Sequence, residues 1–217
     1  MRAAAERLAA RDPEGLGDLR FRALLPAGDW AALPEAVRRR FSHRLRDGAT
    51  AVYAGRILRM ERTRLGAALA HGLRPFGAPL PLWPDTGGAS VISVTEDEAG
   101  GGQVWTRLYA RARGFPQIVH SAKRFAGPTG LEEHLGRGVS IALSVSVEEG
   151  ALVFRSAGYA LTVGARRLPL PGVLSPGRLT VRHEDRGAGA FLFELTLDHP
   201  VLGRLLHQAG LYRDVPT

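Results

Sequence analysis

The sequence predicts an α+β fold, a curved antiparallel β-meander or partly open barrel of about seven or eight strands, with N-terminal helices packed on it and a short C-terminal helix. Three observations lead there. From Ala89 onward, apolar residues recur with period two in segments joined by short, glycine-rich turns. Ahead of them, helical spacing dominates the first third of the chain. Between the two, Pro75, Pro79, Pro81 and Pro84 interrupt regular structure.

Residues 2–11 are expected to form a short helix, which Pro13, Gly15 and Gly17 separate from the next element. Asp18 reads as the N-cap of a helix through Leu25. Pro34 opens another helix to His43 by occupying its first turn. Ala49–Gly55 reads as a short strand. Residues 57–77 read as a basic amphipathic helix, because Leu58, Leu65, Leu69, Leu73 and Phe76 succeed one another at 7, 4, 4 and 3 residues. Such a helix can pack on a sheet or lie on a membrane interface.

Strands are expected at Ser90–Glu96, Gln103–Ala110, Gln117–Phe125 and Gly130–Leu135. The best-patterned element is the hairpin over Val139–Val163, turning at Glu148, Glu149 and Gly150, with Ala151–Val163 as its second strand. In its first strand Val139, Ile141, Leu143, Val145 and Val147 share a face opposite a row of serines, the mark of one buried side. In the second, Val153, Tyr159, Leu161 and Val163 fall on one face with Arg155, and Gly158 suggests a bulge or bend. Gly177–Arg186 and Ala190–Asp198 are the last expected strands, with Phe191, Phe193, Leu195 and Leu197 facing a core. Val201–Gln208 reads as the closing helix, between Pro200 and Gly210.

At 217 residues, 45% apolar and 23% charged, the chain is ordinary for a single globular domain over 1–217. Its helical, basic part covers about 1–76 and its β-rich part about 89–199. With no cysteine, disulfides and thiolate chemistry are excluded. No apolar run has signal-peptide or membrane-spanning length, so the expected location is cytoplasmic. Of the net charge of +8, residues 1–76 carry +7, from 15 arginines against 8 acids. This excess suits an anionic membrane surface, or reflects an arginine-, glycine- and alanine-rich composition in which Lys123 is the only lysine.

No HExxH, nucleophile elbow, phosphate loop or dinucleotide fingerprint occurs, so no catalytic residue, metal ligand or cofactor is assigned. Nucleic acid is not an expected partner, since no recognised binding motif organises the charge. The candidate ligand-binding residues are Trp105, Arg107, Tyr109, His120, Tyr159 and His199. Trp105, Arg107 and Tyr109 share one face of a strand. They could line a cavity for an amphiphile with an anionic head, or form an outer face with Arg107 stacked on Trp105. The leading expectation is a binding domain for an apolar small molecule or lipid. Two alternatives are an enzyme or redox-enzyme accessory, with His120 or His199 beside a carboxylate, and docking on an anionic membrane through the basic helices.

Several short runs occur in a distinctive order: Phe21–Leu25, Trp30, Leu33, Pro34 and Val37, Tyr53–Arg56, Pro75–Gly77, Val104–Arg107, Leu168–Pro171 and Phe193–Tyr212. In that order they resemble the bacterial family catalogued as domain of unknown function 4166, over residues 18–213. The resemblance implies a single domain and brings no established activity or catalytic residues. Members occur alone or attached to dehydrogenase-like domains, and the irregular stretch Gly127–Gly138 departs from the family pattern.

Overall fold

A computed structural model describes residues 17–43, 45, 48–77 and 79–215. The expected helix over 2–11 lies outside the described residues. Eleven strands form one antiparallel sheet: β1 Ala51–Arg62, β2 Ala89–Asp97, β3 Gly102–Tyr109, β4 Gln117–Arg124, β5 Glu132–Gly136, β6 Val139–Glu148, β7 Ala151–Val163, β8 Arg166–Pro169, β9 Arg178–Gly187, β10 Ala190–His199 and β11 Gly203–Asp214. Their order is β6-β5-β4-β3-β2-β1-β11-β10-β9-β7-β8, and β6 also pairs with β7. Ten strands therefore close into an up-and-down barrel, with β8 an extra strand on the far half of β7. The expected meander is there, but it is longer than seven or eight strands and it is closed.

Closure rests on a strand that local pattern hides. Residues expected to form the C-terminal helix instead belong to β11, which pairs with β1 from Tyr53↔Asp214 to Arg62↔Leu206 and with β10 on its other side. The spacing of Leu202, Leu205 and Leu206 imitates a helix, yet the backbone of β11 satisfies two neighbours at once, and that tertiary gain overrides local preference.

β1 is likewise longer than expected. It continues through Arg62, so the expected helix over 57–77 shrinks to α3 (Arg64–Gly72) and a 3₁₀ turn at Arg74–Phe76. Thr63 is its N-cap, accepting Gly66 N–H at 3.0 Å. Upstream, α1 (Ala27–Ala32) and α2 (Glu35–Ser42) are regular, whereas the helix expected from Asp18 is only a 3₁₀ turn at Arg22–Leu24.

Of the register shifts in the sheet, those in β1 and β7 change which side chains face the core. In β1 the register shifts at Leu58, which turns out to solvent while Ile57 and Met60 stay buried. In β7 it shifts at Ala157, one residue from the anticipated Gly158. One extra residue inverts the alternation. Leu152 and Phe154 therefore face inward together with Tyr159, and Val153 and Arg155 do not share their face, contrary to the simple period-two reading.

The barrel has unlike ends. At one, Phe41 of α2 and Phe21 are inserted as a plug. Phe41 stacks on Trp105 at 6.3 Å and meets Phe154 at 5.7 Å and His183 at 5.1 Å, while Phe21 meets Phe41 at 5.2 Å and Phe125 at 4.9 Å. Arg40 locks the plug, donating to Asp214 at 2.9 Å and Gly189 O at 3.2 Å, with its guanidinium 4.5 Å above Phe191. The opposite end, where β1, β3, β5, β7 and β10 finish, is only partly covered by α3 and the proline-rich segment after it.

Phe41→Ala should lower stability by about 3–5 kcal/mol, because it opens a cavity at the centre of the plug. Urea unfolding followed by circular dichroism measures this. His183 gives a second expectation. Burial, with Arg40 nearby, lowers its imidazole from the ordinary 6.5 to about 3, so the unfolded chain binds the extra proton between those values. Stability should fall by up to about 1.4 kcal/mol per pH unit as pH drops through that window. Thermal melts of His183→Leu should lose this dependence.

Candidate functional site

Inside the barrel, β3, β4 and β5 present Arg107, Ser121, Lys123 and Glu133 to one another. All four are buried. Ser121 Oγ donates to Glu133 Oε1 at 2.7 Å, and Lys123 Nζ and Arg107 Nη2 each approach the same oxygen at 3.4 Å. Arg107 Nη1 also donates to Ser121 Oγ at 3.1 Å. Burial alone would raise the Glu133 carboxyl, but the Lys123 and Arg107 cations outweigh it and hold the group at about 2. For Lys123 burial is the larger influence and lowers the ammonium, with Glu133 pulling the other way. The ammonium also sits 4.7 Å over Trp105 and 5.7 Å from Phe154.

Two cationic side chains thus share one carboxylate away from water. The Arg107 Nε–H is buried with no hydrogen-bond partner among the described residues. Above this group is a cavity of about 50 Å³, bordered by Arg107, Ser121 and Glu133 and otherwise by apolar side chains such as Ile141, Val181 and Leu197. Leu73, Leu135, Tyr159 and Pro176 form its wall toward the open end, and the same four residues floor an apolar cleft of about 450 Å³. The cleft runs between α3, which supplies Leu65 and Leu69, and the β7–β9 connection, which supplies Leu170 and Leu174.

Two contacts fix the partial cover beside the cleft. The Gln117 side chain accepts Leu82 N–H at 2.7 Å and donates to Leu80 O at 3.0 Å. Arg62 Nη1 donates to Leu82 O at 2.5 Å. Leu80 and Leu82 are thereby held in the core, so residues 79–84 form a strap fixed to the barrel.

The six sequence-selected residues do not form one site. Arg107 borders the cavity, Tyr159 borders both cavity and cleft, and His199 borders the cleft. Tyr159 donates to Gly177 O at 2.8 Å, and His199 Nδ1 accepts the Val201 and Leu202 N–H groups at 3.2 Å each. Trp105 belongs to the plug, and Tyr109 faces a separate recess under Pro81 and Trp83. His120 lies exposed on the outer face, 3.1 Å from Thr106 Oγ1, because alternation along β4 turns Val119, Ser121 and Lys123 inward instead. Trp105 and Arg107 do face inward, but the cation over Trp105 is Lys123, and Arg107 sits 5.8 Å from Phe193.

Sequence pattern does not single out Ser121, Lys123 or Glu133. For Lys123 a signal exists: the only lysine of the chain falls in phase with Val119, on the face opposite His120. Glu133 has none, since β5 is too short for its alternation to be read. Among the described residues no cluster of three or more histidine, aspartate or glutamate side chains is placed to hold a metal ion.

With this geometry in view, comparison with known families matches residues 33–211 to Domain of unknown function (DUF4166). The chain belongs to that family. The match spans α2, the barrel strands from β1 to β10, β11 as far as Leu211, and the residues lining both apolar spaces. No curated protein and no solved structure matches.

Replacing Glu133 by Gln strands two buried cations and should cost roughly 3–5 kcal/mol. The Glu133 carboxyl lies below its ordinary 4.5 in the folded state, so its contribution is present above pH 4.5 and is lost as pH falls toward about 2. Acid unfolding of the wild type should therefore steepen in that window, and that of Glu133→Gln should not.

Proposed function

We propose that the barrel binds an amphipathic small molecule or lipid, with its apolar body in the cleft and an anionic head toward Arg107. The observation carrying this reading is an apolar cleft of about 450 Å³ whose floor, Leu73, Leu135, Tyr159 and Pro176, is also the wall of the small cavity bordered by Arg107, a buried guanidinium whose Nε–H is unpartnered among the described residues. Ligand sites commonly enclose roughly 300–1,000 Å³ and fix orientation with a few buried polar groups. A ten-stranded barrel also encloses more than its own side chains fill, since about eight strands are just enough for that. The aromatic plug fills one end, and the larger apolar space lies at the other.

A catalytic use of Ser121, Lys123 and Glu133 is less well supported. Ser121 donates to a carboxylate held at about 2 by two cations, which makes Glu133 too weak a base to take its proton. The neighbouring geometry suits positioning of charge.

Native mass spectrometry of gently purified protein, with solvent extraction of anything bound, tests the reading directly. Fluorescent long-chain carboxylates provide titratable probes. Arg107→Gln should weaken a carboxylate probe at least about tenfold, as expected for loss of a charge-assisted contact, and leave the matching alcohol nearly unchanged. Absence of bound lipid together with no saturable probe binding would refute it.

A further inference from the structure

We infer that the open end of the barrel is a docking face for an anionic lipid bilayer, which places the cleft at the membrane surface. The inference rests on the ligand reading for its purpose, but its own support is a separate observation about the outside of the molecule.

Of the thirteen large apolar side chains exposed among the described residues, twelve lie on the open-end connections or the adjoining stretches of strand, and only Val215 is elsewhere. The three most exposed are Phe115 at 90%, Val173 at 88% and Val201 at 83%. They occupy the β3–β4, β7–β9 and β10–β11 connections, three different points around one rim. Leu174 and Leu202 line the cleft and are also more than half exposed, so the rim and the cleft mouth are one apolar surface. Soluble proteins seldom leave so much apolar surface together without a use for it.

The charge is gathered at the same end. The five open-end connections, residues 63–88, 110–116, 137–138, 164–177 and 200–202, contain seven arginines and one acid, Asp85. That difference is +6 of the chain's +8. Residues 1–76 are the basic part in one dimension, but Arg40 and Arg20 near the plug are held by Asp214 and Asp18. Folding brings Arg64 and Arg74 to the rim beside Arg113 and Arg166, all four exposed. Arg167 is paired with Glu132, and on the adjoining strand stretches Glu61 and Asp198 are each matched by an arginine, Arg59 and Arg204. Arginine therefore remains in excess among the exposed apolar tips and complements a bilayer with anionic headgroups. A protein partner would be expected to meet acids as well as bases on such a surface.

The test is co-sedimentation with vesicles of phosphatidylcholine alone and of phosphatidylcholine mixed with phosphatidylserine. The wild type should partition to the mixed vesicles, more weakly as salt rises, and little to the neutral ones. Phe115→Ser with Val173→Ser should abolish partition, since both side chains are nearly fully exposed and contribute little to folding. Arg113→Gln and Arg166→Gln should each weaken it roughly fivefold. Arg22→Gln, at the plugged end, should change nothing. No partition of the wild type to mixed vesicles overturns the docking face, as does partition that the rim variants leave intact. Probe titration of the wild type, set beside its vesicle partition, separates the two readings. Probe bound without vesicle partition in the wild type defeats docking alone, and partition without probe binding defeats the ligand reading alone.

Discussion

The pairing of β1 with β11 is the constraint on which the rest of this structure depends. These two strands are far apart in sequence, and joining them turns a ten-strand meander into a barrel with an inside. Without that closure, Arg107, Lys123 and Glu133 would lie on one face of an open, solvated sheet, and their interaction would be worth little. With it they are dry, mutually dependent and costly to break singly. The plug depends on the same closure, because Arg40 spans Asp185 on β9 and Asp214 on β11.

The lumen is divided by chemistry as much as by shape. Toward the plug it is aromatic and tightly stacked, running from Phe41 through His183 to Phe191, which stands 4.4 Å from His183. At mid-depth a single carboxylate organises two cations. Toward the open end the lining becomes aliphatic and the walls part into the cleft. Leu73, Leu135, Tyr159 and Pro176 stand between the two spaces, so the buried polar group lies beneath an apolar floor. Neutral His183 and ionised Glu133 also give the molecule two distinct acid-sensitive points, one in the plug and one in the site.

Much of the strand inventory was legible because burial of one face imposes period two over consecutive residues. The β10 face of Phe191 to Leu197 is of this kind, and so is the β6 face of Val139 to Val147, although Ser140 and Ala142 on its other side are buried too. Legibility stopped where one residue changes the phase. Ala157 inverts the expected faces of β7, and in β1 the shift at Leu58 lies where a helix was expected. The site was only partly legible for a related reason: its members sit on three strands whose alignment is set by cross-strand register, and Glu133 lies on a strand of five residues.

By itself, the sequence determined the antiparallel β character, the short turns, α2 and the hairpin of β6 and β7, since each arises from contacts between residues close along the chain. Only the tertiary structure decided that Gly203–Asp214 is a strand, because two flanking strands supply the hydrogen bonds that its local pattern does not demand. Tertiary structure alone also gathered Arg64, Arg113 and Arg166 at one rim and Arg107, Lys123 and Glu133 at one point inside. Charges widely separated in the chain become neighbours when a barrel closes, and no local rule of spacing encodes that.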